Sequence, residues 1–339
     1  MIDPIIALTY AFVIAIILGL LFWPEKGMFW QFKIGKRNTD RVMMEDTLKQ
    51  LYDHEYRNKP STLKSISGAL ELSQEKTAIL LEKLSGMNLV IFDVSKFNLT
   101  NEGRTYALKI IRMHRLWERY FADETGLSEM EWHKEAELRE HTTTNAQAEQ
   151  LAQHMGNPAF DPHGDPIPTA KGEIPPQKGK PLSELIEGEF AIITHIEDEP
   201  PALYAQLVAE GLNPGMQIHL LEKSSSKIRF TSEGEEIVLA PIVAANITTI
   251  QISKDQQIEV PSKSLSDLAV GESGEVVMIS KSCRGMQRRR LMDLGIIPGT
   301  VVTSELQSAG KNPTAYNIRG AMIALRDDQA RVVRIKKNN

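Results

Sequence analysis

Apolar residues recur along this chain in three regimes. From Ile5 to Trp23 (IIALTYAFVIAIILGLLFW) they fill 19 positions without a charge, close to the roughly 20 apolar residues that a helix needs to cross a bilayer. From Asp40 to about Pro168 they recur at the three- and four-residue spacing of amphipathic helices, with one alternating interruption. Beyond Pro181 they collect in short β-branched runs such as Phe190–Ile196, Ile228–Thr231 and Val276–Ile279. Glycine, asparagine and serine turns bound these runs, which predicts strands. Between the last two regimes lies Pro166–Pro181 (PIPTAKGEIPPQKGKP), rich in proline and lysine, with the composition of a linker.

Within the helical regime, Met43–Tyr56 carries Leu48, Leu51 and Tyr52 on one face, and Thr62–Leu70 forms a second short helix. Ser73 caps a third over Gln74–Leu84, which Gly86 stops. The run Leu89–Leu99 (LVIFDVSKFNL) alternates and turns near Ser95, as a β-hairpin does. Three helices and a hairpin are the element order of a winged helix-turn-helix. Thr100 and Gly103 then open a long helix through Glu118 and Tyr120. The β-rich part repeats itself: LSELIEGEFAIITHI from Leu182 aligns with LSDLAVGESGEVVMI from Leu265, and EGLNPGMQIHL from Glu210 with LGIIPGTVVTS from Leu294. The spacing is about 83 residues. Two tandem copies of one small barrel, each with the Pro-Gly as a turn between strands, account for this pattern.

Composition narrows the possibilities. A chain of 339 residues, 42% hydrophobic and 24% charged, suits two or three cored domains and excludes a disordered polymer. The single cysteine, Cys283, excludes a disulfide framework and a thiolate cluster, so any metal must sit on nitrogen and oxygen. A net charge of -5 provides no general attraction to nucleic acid, and DNA binding would have to rest on a local surface. The first apolar run has only Asp3 before it, without the basic start or cleavage pattern of a signal peptide. Lys26, Lys33, Lys36, Arg37 and Arg41 follow it, with Trp23 and Trp30 suited to an interface. The expectation is a single span of the inner membrane with the soluble domains in the cytoplasm.

The densest metal-binding chemistry lies in RMHRLWER and EWHKEAELREH. At about 100° per residue, His133, Glu137, Glu140 and His141 fall within one arc of a helix, and His114 with Glu118 forms an i, i+4 pair of the same kind. Imidazole and carboxylate converging from two helices suit Mn²⁺ or Fe²⁺. The alternative for an isolated His-x-x-x-Glu is a solvated charged helix.

Three separated segments carry a resemblance to the metal-dependent repressors of the diphtheria toxin repressor type, and to their manganese-responsive branch in particular. MEDTLKQLY (Met44–Tyr52) resembles the family's first helix and places Asp46 where that branch has an aspartate ligand. RMHRLWER places His114 and Glu118 at ligand positions, and WHKEAELREH does so for His133, Glu137, Glu140 and His141. GNPAFDPHGDPIP (Gly156–Pro168) is similar to the segment that closes the dimerisation domain. MQRRRLMDLGIIPGT (Met286–Thr300) and the glycines of the repeat resemble FeoA domains, small SH3-type barrels. The resemblance implies a homodimer in which Mn²⁺ or Fe²⁺ fixes two recognition helices for successive major grooves of a palindromic site. Two departures stand out. Lys49 occupies a position where the manganese branch can offer a further carboxylate, and the third helix carries Glu75, Ile79 and Leu80 with only Lys76 and Lys83 for cations.

The expected fold class is therefore multidomain α+β: a transmembrane helix (4–24), a juxtamembrane linker (25–40), a winged helix-turn-helix (41–104), and a helical metal-binding and dimerisation domain (105–168). A linker (169–180) and two SH3-like β-barrels (181–254 and 263–336) follow. DNA contacts fall to Ser73, Lys76 and Lys83 on the third helix and to Lys64 and Lys96 on its flanks, with Arg57 and Arg104 as further backbone contacts. The basic run Arg284, Arg288, Arg289 and Arg290 suits a helix cap, a protein or an anionic lipid rather than a base edge. Two functions remain open. One is a membrane-tethered, Mn²⁺- or Fe²⁺-dependent repressor of metal-transport promoters; the other is a metal-sensing interaction module without DNA binding that regulates a metal-ion transporter at the membrane. A metallohydrolase is disfavoured, because no nucleophile or general base accompanies the ligand set.

Overall fold

The computed structural model describes residues 40–338 apart from 94, 254, 255 and 257–260, together with Phe12, Ile14 and Leu18. It divides into two compact units. The first comprises the described part of Met1–Arg112 with Leu138–Thr143, and the second Met113–Glu137 with Thr144–Asn339.

In the first unit, α1 (Asp40–Tyr56), α2 (Leu63–Ala69) and α3 (Gln74–Gly86) precede the antiparallel strands β1 (Val90–Asp93) and β2 (Lys96–Leu99). The beginning of α4 (Asn101–Glu124) and the last turn of α5 (Glu129–Glu140) complete it. Local chemistry sets the helix starts. Thr62 and Ser65 form a reciprocal capping box, and Ser73 Oγ accepts the Lys76 N–H at 3.2 Å. The hairpin pairs Val90 with Leu99 and Asp93 with Lys96, turning through Ser95 at a φ of 89°. Leu48, Leu51, Ile66, Leu81, Leu84, Val90 and Leu99 form one buried cluster that joins the three helices to the hairpin.

The second unit holds the rest of α4 and α5, then α6 (Asn145–His154) and two sheets. β3 (Lys180–Pro181), β4 (Phe190–Ile196), β5 (Gln217–Lys223), β6 (Ile228–Ser232), β7 (Glu235–Leu239) and β8 (Ile247–Ile252) form an antiparallel sheet ordered β3-β8-β4-β5-β6-β7. The helices α7 (Pro201–Ala209) and α8 (Pro241–Ala244) lie between its strands in sequence. The second sheet is ordered β12-β11-β10-β9-β13, from β9 (Ser273–Ile279), β10 (Val301–Gln307), β11 (Thr314–Ile318), β12 (Ala321–Leu325) and β13 (Val333–Lys337). It is interleaved with α9 (Gly285–Asp293) and α10 (Asp327–Arg331).

The repeat seen in sequence is a repeat of connectivity, since in each copy the last strand returns to pair with the first of a four-strand meander. Gly188 and Gly271, and likewise Gly215 and Gly299, share left-handed φ values between 84° and 90°. These turns thus need glycine in both copies. Each copy has its own buried core, around Ile193, Leu220 and Phe230 in one and Val302, Tyr316 and Val333 in the other.

The fold class differs from expectation in one respect. Among the described residues no helix is long and apolar enough to cross a membrane. The longest of these, the 24-residue α4, carries Arg104, Lys109, Arg112, Arg115, Glu118, Arg119 and Asp123. Its apolar face is buried against protein, and so many charges exclude a hydrocarbon environment. The stretch Ile5–Trp23 lies outside the described residues except for Phe12, Ile14 and Leu18, which are helical and exposed. Among the described residues the class is α+β with no helix long and apolar enough to cross a membrane, and single-pass placement at the inner membrane finds no support in them.

Candidate metal centre

The seven residues singled out from sequence do not form one cluster. In the first unit α1 supplies Asp46 and the end of α5 supplies Glu140 and His141, with one ligand atom of each lying within 4.8 Å of the others. His141 Nε2 is 3.3 Å from Asp46 Oδ1 and 3.2 Å from Glu140 Oε1, while its Nδ1 is 2.6 Å from Glu45 Oε2. Glu45 is buried and also accepts the Arg41 Nε–H at 2.8 Å and the Tyr106 hydroxyl at 2.7 Å. Burial disfavours the Glu45 carboxylate, but these three hydrogen bonds outweigh it and lower its pKa. Burial likewise opposes charge on His141, yet hydrogen bonds to Asp46 and Glu45 raise it to about 9. A carboxylate on one ring nitrogen fixes the imidazole so that the other faces the ligand pair. Lys49, one turn beyond Glu45 on α1, places Nζ 2.7 Å from Glu140 Oε1.

The second unit contains the other cluster. His114 and Glu118, one turn apart on α4, meet His133 of α5, again with ligand atoms within 4.8 Å. His133 Nδ1 is 3.1 Å from Glu118 Oε1, and its Nε2 is 3.4 Å from Glu137 Oε1. His114 Nε2 is 3.0 Å from Glu118 Oε1 and 3.2 Å from His133 Nδ1. Burial disfavours charge on Glu118, but His114 and His133 reverse the balance and hold it well below the usual carboxylate range. Burial opposes protonation of His133 too, and hydrogen bonds to Glu118 and Glu137 nevertheless push it up to about 11. The α5 arc read from sequence is therefore divided: His133 and Glu137 belong with α4, Glu140 and His141 with α1.

Two residues that the spacing did not single out extend this second cluster. His163 and Asp198 form a further ligand-like group with Glu118. His163 Nδ1 is buried without a hydrogen-bond partner, 3.9 Å from both Glu118 Oε2 and Asp198 Oδ2. Separations of 3.9 Å are too long for hydrogen bonds. They leave room for a cation coordinated by nitrogen and carboxylate oxygen, a donor set that fits Mn²⁺ or Fe²⁺. The loop carrying His163 is rigid for visible reasons. Asp161 Oδ1 accepts the backbone N–H groups of His163, Gly164 and Asp165, each at 2.9 Å. Gly164 has a φ of 96°, and a Cβ there would lie 2.0 Å from the Thr194 carbonyl oxygen of β4. Only glycine allows this approach. The available sequence signal was a histidine between prolines in DPHGDP and an acidic turn, EDEPP, after a strand.

The cations suggested for DNA are exposed. Lys64 lies on α2, Lys76 on α3 and Lys96 at the start of β2, while Ser73 is the α3 cap. Lys83 is ion-paired with Asp40, Arg57 with Asp53 at 2.6 Å, and Arg104 with Glu55 at 2.6 Å. Ile79, on the outer face of α3, is 47% exposed. In the basic run, Arg288 donates to the carbonyls of Ile279 and Ser280, and Arg289 pairs with Glu124 at 2.9 Å. Both arginines are thus engaged within the second unit.

Comparison with known proteins agrees with this architecture. The family described as "Iron dependent repressor, metal binding and dimerisation domain" matches residues 100–169, and the FeoA domain matches residues 180–249 and 263–337. The solved structure of the manganese-activated repressor ScaR is 31% identical and superposes with a TM-score of 0.52, covering 61% of this chain and 100% of that one. This chain belongs to the diphtheria toxin repressor family of metal-dependent regulators. Among other relatives of this family member, the iron-dependent repressor IdeR of Mycobacterium bovis is 28% identical over 135 residues, 33% of this chain and 59% of IdeR. A probable metal transport system membrane protein of Chlamydia trachomatis is 29% identical over 141 residues, 42% of this chain and 28% of that protein. The chain therefore spans less than two thirds of either relative.

Proposed function

We propose that this chain is a Mn²⁺- or Fe²⁺-dependent transcriptional repressor that acts as a homodimer on promoters of metal-transport genes. Its named repressor relatives are regulators rather than enzymes, and the same class is assigned here. The observation that carries the reading is the meeting of Asp46 with Glu140 and His141, which brings a carboxylate of the first winged-helix element to the end of α5.

Asp46, Glu140 and His141 would hold one ion, and His114, Glu118 and His133, with His163 and Asp198 beside them, would hold another. When bound, the ion of the first cluster supplies a positive centre to which α1 and the end of α5 are both attached. Glu45 keeps the His141 ring turned towards that centre. The winged helix (41–104) reads DNA, with α3 in the major groove and Ser73, Lys76, Lys83, Lys64 and Lys96 at or near phosphates. Residues 105–168 supply the metal-binding and dimerisation elements, and 181–254 and 263–336 the two FeoA-like domains. Glu137 lies outside the three-residue group but 3.4 Å from His133 Nε2, where its carboxylate would orient that ring.

A mobility-shift titration tests this function. In about 50 mM salt, Mn²⁺ or Fe²⁺ is expected to promote retention of a promoter fragment from a neighbouring metal-transport gene, and a rise in salt should weaken it steeply. His141→Ala is expected to abolish metal dependence. Absence of any shift at low salt with either ion would overturn the repressor reading in favour of a metal-sensing interaction module.

A further inference from the structure

Lys49 is the feature of the first cluster that ligand chemistry alone does not explain. Its ammonium lies 2.7 Å from Glu140 Oε1, the same oxygen that faces His141 Nε2 at 3.2 Å. The Glu140 side chain is fully buried and that of Lys49 is 23% exposed, so the pair is shielded from bulk water. The remaining charges nearly balance. Glu45 is matched by Arg41. With His141 neutral, as a ligand must be, the described side chains that meet at the cluster are then Asp46 and Glu140 as two negative charges and the Lys49 ammonium as one positive charge. A first divalent ion already exceeds this net charge, and a second would lie beside an ammonium with no additional carboxylate to compensate it.

We infer that Lys49 is an internal cation that lowers the affinity of the Asp46–Glu140–His141 cluster for a divalent ion by competing for Glu140, and that a side chain without a carboxylate at this position leaves the cluster with a single ion. This rests on the assignment of those three residues as ligands. Lys49 is not itself a ligand, since a protonated amine has no lone pair to donate. It acts through Glu140, and the strength with which it holds that carboxylate sets the metal concentration at which the cluster fills. The arrangement adjusts a sensor without altering its donor atoms: a tighter Lys49–Glu140 pair moves the response to higher metal concentration.

The test uses the full chain titrated with Mn²⁺, with free ion read by electron paramagnetic resonance and heat by calorimetry. Lys49→Met removes the charge but keeps much of the side-chain bulk, and is expected to bind Mn²⁺ roughly tenfold more tightly with the same number of ions per chain. Lys49→Glu should take one further ion per chain than the wild type and gain an exchange-coupled signal from two nearby Mn²⁺ ions. Lys49→Arg, which keeps the cation, should resemble the wild type. Circular dichroism melts confirm which variants are folded, and Lys49→Arg together with Lys49→Met keeps the comparison open if Lys49→Glu does not fold. Equal affinity and ion count in wild type, Lys49→Met and Lys49→Glu would overturn the inference, as would weaker binding by folded Lys49→Met. The ligand assignment fails separately, if His141→Ala leaves Mn²⁺ affinity and ion count unchanged.

Discussion

A histidine in this protein is defined by what holds its second nitrogen. Glu45, buried on α1, is bonded to His141 Nδ1, Arg41 and Tyr106, so its removal leaves three polar groups without their partner. Glu45→Ala is expected to weaken Mn²⁺ binding by about 10- to 100-fold and to destabilise the fold by roughly 1–3 kcal/mol, as read by calorimetry and thermal denaturation. An unchanged Mn²⁺ affinity would show that the imidazole needs no such support. His54 behaves in the opposite sense. It is buried beside Gln50 and Ser61, and desolvation lowers its pKa from the ordinary 6.5. The folded state thus prefers the neutral ring, and the stability this provides is present above pH 6.5 and lost as pH falls below it. The melting-temperature difference between wild type and His54→Gln should therefore shrink from pH 7.5 to pH 5.5; a constant difference would contradict this.

At the scale of elements, the two clusters depend on how loops and helix ends are fastened. Gly164→Ala would drive a Cβ into the Thr194 carbonyl and displace the His163 loop. A loss of about 2 kcal/mol or more is expected, along with weaker metal binding at the His114 cluster but not at the Asp46 cluster. Wild-type stability in Gly164→Ala would mean that the loop tolerates movement. On the proposed function α3 would read DNA, and its cations are few, Lys76 and Lys83. Lys76→Ala and Lys64→Ala should each reduce the slope of log affinity against log salt by about 1 if they contact phosphates. An unchanged slope would remove that residue from the DNA surface. Lys83, already paired with Asp40, should contribute less than either.

For the molecule as a whole, ligand linkage gives the broadest test. Mn²⁺ at a hundred times its dissociation constant should stabilise the folded chain by about 2.7 kcal/mol per site, raising the melting temperature in scanning fluorimetry and reversing with EDTA. Double disruption by His114→Ala and His141→Ala should abolish that rise. The tandem FeoA domains have separate cores, so their unfolding need not coincide with that of the first unit, and more than one transition is expected in calorimetry.

Much of this organisation was determined by the sequence. Helix periodicity placed α1 to α5, the capping serine and threonine marked helix starts, and the internal repeat announced two related β-rich copies, seen as two sheets of the same connectivity. These are consequences of local geometry: the helical pitch puts His114 over Glu118 whatever surrounds them, and a left-handed turn selects glycine. Spacing could not reveal which helix each ligand would face. His133 and His141 share a helical arc in sequence, but the cores on which the helices pack assign them to different clusters. Lys49 and Glu140 are 91 positions apart, and His163 and Asp198 come from loops without periodicity. Their convergence depends on burial of distant apolar surfaces and on backbone approaches such as that of Gly164. Only the tertiary structure decided it, because side-chain spacing fixes direction within one element, whereas the meeting of elements is set by packing.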